Sequence, residues 1–198
     1  MPPLTKDVIK FGTFTVTSQV FHLSPLSFAL VNLKPLLPGH VLVSPRRVVP
    51  RFNDLTQSEV QDLFLTVQRV SRTVERVFKA TSLNIAIQDG ADAGQSVPHV
   101  HAHIIPRRKD DLPETDAIYG MMENEEGDLG KQFVQRDKEV RESKEQEVDG
   151  DIPDGEQARG RFPAVDADES RKPRSKDEMK KEAEWLAREM VEDTKGES

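Results

Sequence analysis

The sequence predicts an α+β fold: an antiparallel sheet of about five strands, one main helix packed on it, and a second helix near the C-terminus. Three observations predict it. Short apolar runs punctuated by turn residues recur between Gln19 and Ile105. One long stretch after Thr56 repeats its apolar residues at helical spacing. The composition also changes near residue 120: the chain carries a net +2 up to Gly120 and −9 beyond it, against −7 for all 198 residues. With 35% hydrophobic residues overall, this describes one packed domain, residues 1–120, with an acidic appendage.

The elements follow in order. A hairpin is expected over Phe11-Gly12-Thr13-Phe14-Thr15-Val16, then strands at 19–23, 28–32 and 41–44. Thr56-Gln57-Ser58-Glu59 reads as a capping box, in which the Thr hydroxyl and the Glu carboxylate satisfy each other's backbone N–H groups. Val60, Leu63, Phe64, Val67, Val70, Val74, Val77 and Phe78 then form a core-facing stripe with no cofactor role implied. Strands return at 84–87 and 97–105. From 121 to 173 the residues are mostly Glu, Asp, Lys, Gly and Pro, with Phe133 and Phe162 the only aromatics in that run, so a disordered insertion is expected. A second capping box, Ser175-Lys176-Asp177-Glu178, should start a helix over 174–192 that returns Met179, Ala183, Leu186 and Met190 to the domain, before a flexible tail at 193–198.

Several function classes are disfavoured. The chain has no cysteine, no apolar run approaching the length of a membrane span and no signal-peptide pattern, so a cytoplasmic location without membrane contact is expected. Arg171-Lys172-Pro173-Arg174 is a weak nuclear signal that leaves a nuclear fraction open. Net acidity argues against a nucleic-acid partner.

The chemistry concentrates in Pro98-His99-Val100-His101-Ala102-His103-Ile104-Ile105-Pro106. On a strand, His99, His101 and His103 would share one face about 6 to 7 Å apart while Val100, Ala102 and Ile104 pack into the other. Three repeated polar rings gain nothing from packing alone. A metal site would use His-x-His but usually needs a further ligand, and no Glu or Asp lies nearby in this run. A histidine nucleophile, with its neighbours binding and moving protons, is the third reading. Upstream, Gln88-Asp89-Gly90-Ala91-Asp92-Ala93-Gly94-Gln95-Ser96-Val97 turns through two glycines and delivers neutral donors to the histidines. Downstream, Arg107, Arg108 and Lys109 add positive charge. Donors and cations around a nucleophilic imidazole suit a phosphate better than a metal.

These residues resemble the histidine triad (HIT) superfamily of nucleotide hydrolases and transferases. Leu26-Ser27-Phe28-Ala29-Leu30-Val31-Asn32, Pro38-Gly39-His40-Val41-Leu42-Val43, Gln88-Asp89-Gly90 and Gly94-Gln95-Ser96-Val97-Pro98-His99 resemble its fragile histidine triad (Fhit) branch in order and spacing. The resemblance implies hydrolysis of diadenosine triphosphate to AMP and ADP. Uridylyltransferase-like members carry Gln where this chain has His103, and aprataxin-like members need cysteines. The purine nucleoside phosphoramidase (Hint) branch is the rival, and a nucleotide-binding signalling protein whose substrate complex is the output is a second alternative.

By that resemblance His101 would attack the α-phosphorus to form a covalent AMP-histidine intermediate, its other ring nitrogen held by a backbone carbonyl. His103 would contact the phosphate or bridging oxygen, and His99 and His40 would support the site. Gln95 would act with the triad, and with Gly94, Ser96, Val97, Asn32 and Gln88 would bind substrate, Leu30 and Leu42 walling the base. The resemblance further implies Mg²⁺ or Mn²⁺ arriving on the substrate, and a homodimer. The hairpin matches the family's base-pocket strand loosely, which leaves the preferred base open.

Overall fold

The computed structural model describes residues 4–123, 129–146 and 174–196. A two-stranded hairpin, β1 (Lys10–Phe11) with β2 (Phe14–Thr15), precedes a five-stranded sheet. The sheet contains β3 (Val20–Leu23), β4 (Ser27–Val31), β5 (Val41–Pro45), β6 (Ser82–Ile87) and β7 (Ala102–Arg107) in the order β3-β4-β5-β7-β6, every pair antiparallel. β4 and β5 are buried along their whole length, which explains why their sequences are nearly continuous apolar runs.

Helix α1 (Gln57–Phe78) begins where the sequence places it: Thr56 accepts from the Glu59 amide and the Glu59 carboxylate accepts from the Thr56 amide. Arg47 closes the cap, donating twice to Glu59 at 2.7 Å and holding that carboxyl down at about 2. Leu63, Val67, Val70 and Val74 are buried, and the helix packs on β4, β5 and β7. Phe64 departs from the expected stripe. It is 47% exposed and meets Phe52 edge-on at the surface, because Leu63 and Val67 already fill the inward arc.

The strand expected over 97–105 is corrected at its start. β7 begins only at Ala102, and the His99 amide bonds back to the Val97 carbonyl at 2.7 Å, a turn that Pro98 favours. Of the triad, only His103 is therefore on a strand. Pro106 does not end β7, which runs one residue further and pairs it with Leu83.

Two further boundaries change. The run expected to be disordered from 121 holds the end of α2 (Ala117–Glu123) and a helix α3 (Leu129–Gln146), so the domain does not end at residue 120. Phe133 anchors α3 at 1% exposure, tilted against Phe11 and stacked on Phe14. Residues 147–173, the rest of that expectation with Phe162, lie outside the described residues. Helix α4 (Lys176–Gly196) starts at the Ser175–Glu178 box and buries Met179, Ala183, Leu186 and Met190. It runs through 193–196, expected as loose tail, because Asp193 pairs with Arg76 at 2.7 Å and accepts from Thr73. No helix among the described residues is long and apolar enough to cross a membrane.

Candidate active site

Four imidazoles come together on the central strands. His103 on β7 pairs in register with Leu42 on β5, which pairs with Leu30 on β4, so these three side chains share a face. His40, just before β5, reaches across to His103. His99, His101 and His103 are 0, 2 and 2% exposed. The ring centres of His101 and His103 lie 4.9 Å apart.

Hydrogen bonds fix the tautomer of each ring. The Leu36 amide donates to His40 Nδ1 at 3.1 Å, so His40 carries its proton on Nε2 and donates it to His103 Nδ1 at 2.9 Å. His103 therefore carries its proton on Nε2, a buried N–H with no partner among the described residues. His101 Nδ1 lies 2.7 Å from the His99 carbonyl, which only accepts. The proton is on Nδ1, and the Nε2 lone pair is free. His99 Nδ1 accepts from the Gly12 amide at 3.1 Å while its Nε2–H is shared by the Pro45 and Arg47 carbonyls at 2.9 and 3.1 Å.

All four stay neutral at ordinary pH. Burial lowers His40 to about 3, helped by the charge of Arg174 and then by His101. Burial also takes His99 to about 4, against the opposing pull of the Pro45 carbonyl. His101 is lowered by burial, and His103 well below its ordinary value by burial and then by its neighbours His101 and His40.

The loop before the triad is ordered around its own backbone. Gln95 accepts from the Gly90 amide at 3.0 Å and donates to the Pro50 carbonyl at 2.9 Å, so its amide secures the loop here. Gly94 adopts φ +88, and any Cβ there would strike the Gln88 amide. Ser96 accepts from the Gly130 amide of α3 at 3.2 Å, and Val97 is buried beneath Gly12. The Asn32 amide lies 3.3 to 3.4 Å from the ring nitrogens of His40.

The basic run does not join the site. Arg107 is at the far end of β7, pairing with Asp111 at 2.8 Å and with Asn84 at 2.7 Å, and Arg108 donates to the Phe78 carbonyl. Three residues that the sequence reading passed over do. Phe11 stacks on His99 and meets His101 edge-on, with ring centres 5.6 and 5.1 Å away. Phe133 covers Phe11 from above. Arg174, the last residue of the basic stretch 171–174, donates to the Asn32 carbonyl and pairs with Glu182. Helical spacing flags Phe133 only weakly, the hairpin's loose likeness to a base-pocket strand is the one signal at Phe11, and nothing local places Arg174 at the site.

A family model of the HIT domain matches residues 13–110. The chain is 49% identical to the asymmetrical bis(5'-nucleosyl)-tetraphosphatase of Schizosaccharomyces pombe over 89% of its own length and 91% of the relative's. The chain belongs to the HIT family. It resembles the Fhit branch in particular. It is 52% identical to the bifunctional bis(5'-adenosyl)-triphosphatase/adenylylsulfatase of Arabidopsis thaliana, over 65% of this chain and 72% of that one. A solved structure, the Plasmodium falciparum diadenosine triphosphate hydrolase in complex with cyclomarin A, superposes with a TM-score of 0.51 at 35% identity, covering 64% of this chain and 84% of that one.

Proposed function

We propose that this HIT protein hydrolyses dinucleoside polyphosphates, cleaving diadenosine triphosphate to AMP and ADP through a nucleotidyl-histidine intermediate. The observation that carries the reading is the pair of free ring atoms side by side: an unprotonated Nε2 on His101 and an unpartnered Nε2–H on His103. The named activities of the similar proteins agree with it.

The chemistry follows from those tautomers. The His101 lone pair forms an N–P bond to the α-phosphorus as the bond to the bridging oxygen breaks, and ADP leaves. His103 donates to a phosphoryl or bridging oxygen as negative charge grows there, an N–H fixed in advance by His40. The adduct makes His101 cationic, and its Nδ1–H bond to the His99 carbonyl strengthens as that charge appears. Water then cleaves the N–P bond, releasing AMP and restoring the neutral ring. Neutral imidazoles suit this sequence, because a protonated His101 has no lone pair to attack with.

Asn32, Gln88, Gly94, Gln95, Ser96 and Val97 would line the phosphates and ribose, with Leu30 and Leu42 under the base. Among the described residues no group of three or more His, Cys, Asp or Glu is arranged to hold a metal ion. The Mg²⁺ or Mn²⁺ of this proposal is one carried in on the polyphosphate. A homodimer belongs to the same proposal, and light scattering would report it.

The test is to incubate the protein and Mg²⁺ with diadenosine triphosphate, diadenosine tetraphosphate and adenosine phosphoramidate in parallel, separating products by chromatography. Equimolar AMP and ADP from the first, with little turnover of the third, is expected. Turnover of the phosphoramidate alone would transfer the chain to the Hint-type reading.

A further inference from the structure

We propose that Arg136 is a substrate-binding residue that grips the polyphosphate beyond the attacked phosphorus, and so sets which chain length is cleaved best. This rests on the hydrolase reading above.

Helix α3 starts against the loop that leads into the triad, its Gly130 amide donating to Ser96. One turn on, Phe133 packs on Phe11, which itself touches His99 and His101. Arg136 follows a further turn along, its guanidinium carbon 4.8 Å from the centre of the Phe133 ring. The residue is only 6% exposed. One edge of its fork is occupied: Nε and one terminal nitrogen donate to Asp137 at 3.0 and 2.7 Å. The other terminal nitrogen, Nη1, is buried and has no partner among the described residues.

That arrangement is poor as a structural ion pair. The Asp137 side chain is about half exposed, so its charge is shared with water while the cation it should balance is not. The contact with the Phe133 ring accounts for the position of the guanidinium but leaves Nη1 without an acceptor. A phosphate supplies what is missing, since it brings negative charge and offers oxygens to the vacant side of a planar fork. The location fits a phosphate past the first. Arg136 is six residues beyond Gly130, about 9 Å along the helix from the Gly130–Ser96 bond, so the phosphate it takes on this proposal is one beyond the phosphate at the Ser96 end.

Two variants of the full-length chain test this. Arg136→Met keeps an apolar stem against Phe133 and removes the fork, while Arg136→Lys keeps the charge. With Mg²⁺ present, kcat/KM is measured for diadenosine triphosphate and diadenosine tetraphosphate, together with competitive inhibition by AMP, which carries one phosphate. Arg136→Met is expected to lower both kcat/KM values by about tenfold or more and to change their ratio, with AMP inhibition unmoved and Lys giving partial rescue. Unchanged dinucleotide kinetics, or an equal loss of AMP inhibition, would overturn the proposal. If the wild-type chain cleaves neither dinucleotide, the hydrolase reading falls and this proposal falls with it; if it cleaves both and only the ratio fails to move, the role of Arg136 alone is wrong.

Discussion

The histidine cluster and the layer above it are held by different means. In the cluster, ring nitrogens bond to backbone groups or to each other: the Leu36 and Gly12 amides donate, the His99, Pro45 and Arg47 carbonyls accept, and His40 hands its proton to His103. The layer above, made of the β1–β2 hairpin and α3, rests on aromatic contact through Phe11, Phe14 and Phe133 and on the Gly130–Ser96 bond. Backbone groups are fixed by the sheet and its turns, so the cluster's tautomers are as rigid as the fold. Side-chain stacking permits sliding. On the proposed function, the difference would give reaction chemistry and the base to the lower region and selection among polyphosphate chains to the upper one.

The strongest way to break that division is in the cluster itself. His101→Asn should reduce turnover by about 10⁴-fold or more while substrate still binds, because the nucleophile is gone and its surroundings remain. Wild-type turnover in this variant would dispose of the proposed intermediate. His103→Ala should cost about 10² to 10³ in kcat, the scale of one lost donor to developing charge, and it leaves His40 Nε2–H without its acceptor. Comparable losses from changes in α3 on a substrate-independent basis would blur the two regions.

Much of the lower region was legible because its signals are local. Both capping boxes, the inward arc of α1 and the apolar runs of β4 and β5 follow from short-range spacing. The triad announces itself by composition. What the sequence hides are the partners: Gly12 lies 87 residues from His99, and Pro45 lies 54 away, so the tautomer of His99 is not readable from the motif. The start of β7 is hidden because alternation at 99–103 looks the same whether or not Pro98 bends the chain before it. Helix α3 is hidden for a different reason. Its inner face carries one aromatic in an otherwise charged run, and only Phe11 and Phe14, supplied from the opposite end of the chain, make that sufficient. Arg107 misled in the other direction, since a basic run beside a triad suggests phosphate whereas Asp111 and Asn84 consume it.

Acid should weaken the lower region first. An unfolded histidine takes its proton near 6.5, but folded His99 and His40 resist until about 4 and about 3, chiefly because burial disfavours the charged ring. The folded pKa is the lower one, so the unfolded state binds more protons below 6.5 and stability falls as pH drops. Each of these two rings should cost about 1.4 kcal/mol per pH unit between about 6.5 and 4. Glu59 acts in the same direction only below 4.5, because its folded value is about 2. Urea midpoints taken from pH 7 to pH 5 should therefore decline, before Glu59 contributes and against the buried carboxyl of Glu182, which burial raises and which gains stability as pH falls; a flat profile there would contradict the buried neutral rings. Turnover should keep its acid limb below 6.5 for the same reason, since burial lowers His101.

The smallest expected effect on chemistry comes from Phe133→Ala, and it is the sharpest test of the division. Removing a ring that is 1% exposed takes away the contact with Phe11 and Phe14 that seats α3, at a local cost of about 3 kcal/mol or more. The strands, α1 and every hydrogen bond of the four histidines are untouched by that change. Amide exchange should consequently rise in α3 while the protection of β5 and β7 persists. If selection lives in the upper layer, kcat/KM for the dinucleotides should fall by about tenfold or less, mainly through KM, and inhibition by AMP should stay as it was. A loss carried by kcat, with exchange in β7 rising alongside α3, would mean that the aromatic layer holds His101 in place through Phe11, and that the two regions are one unit.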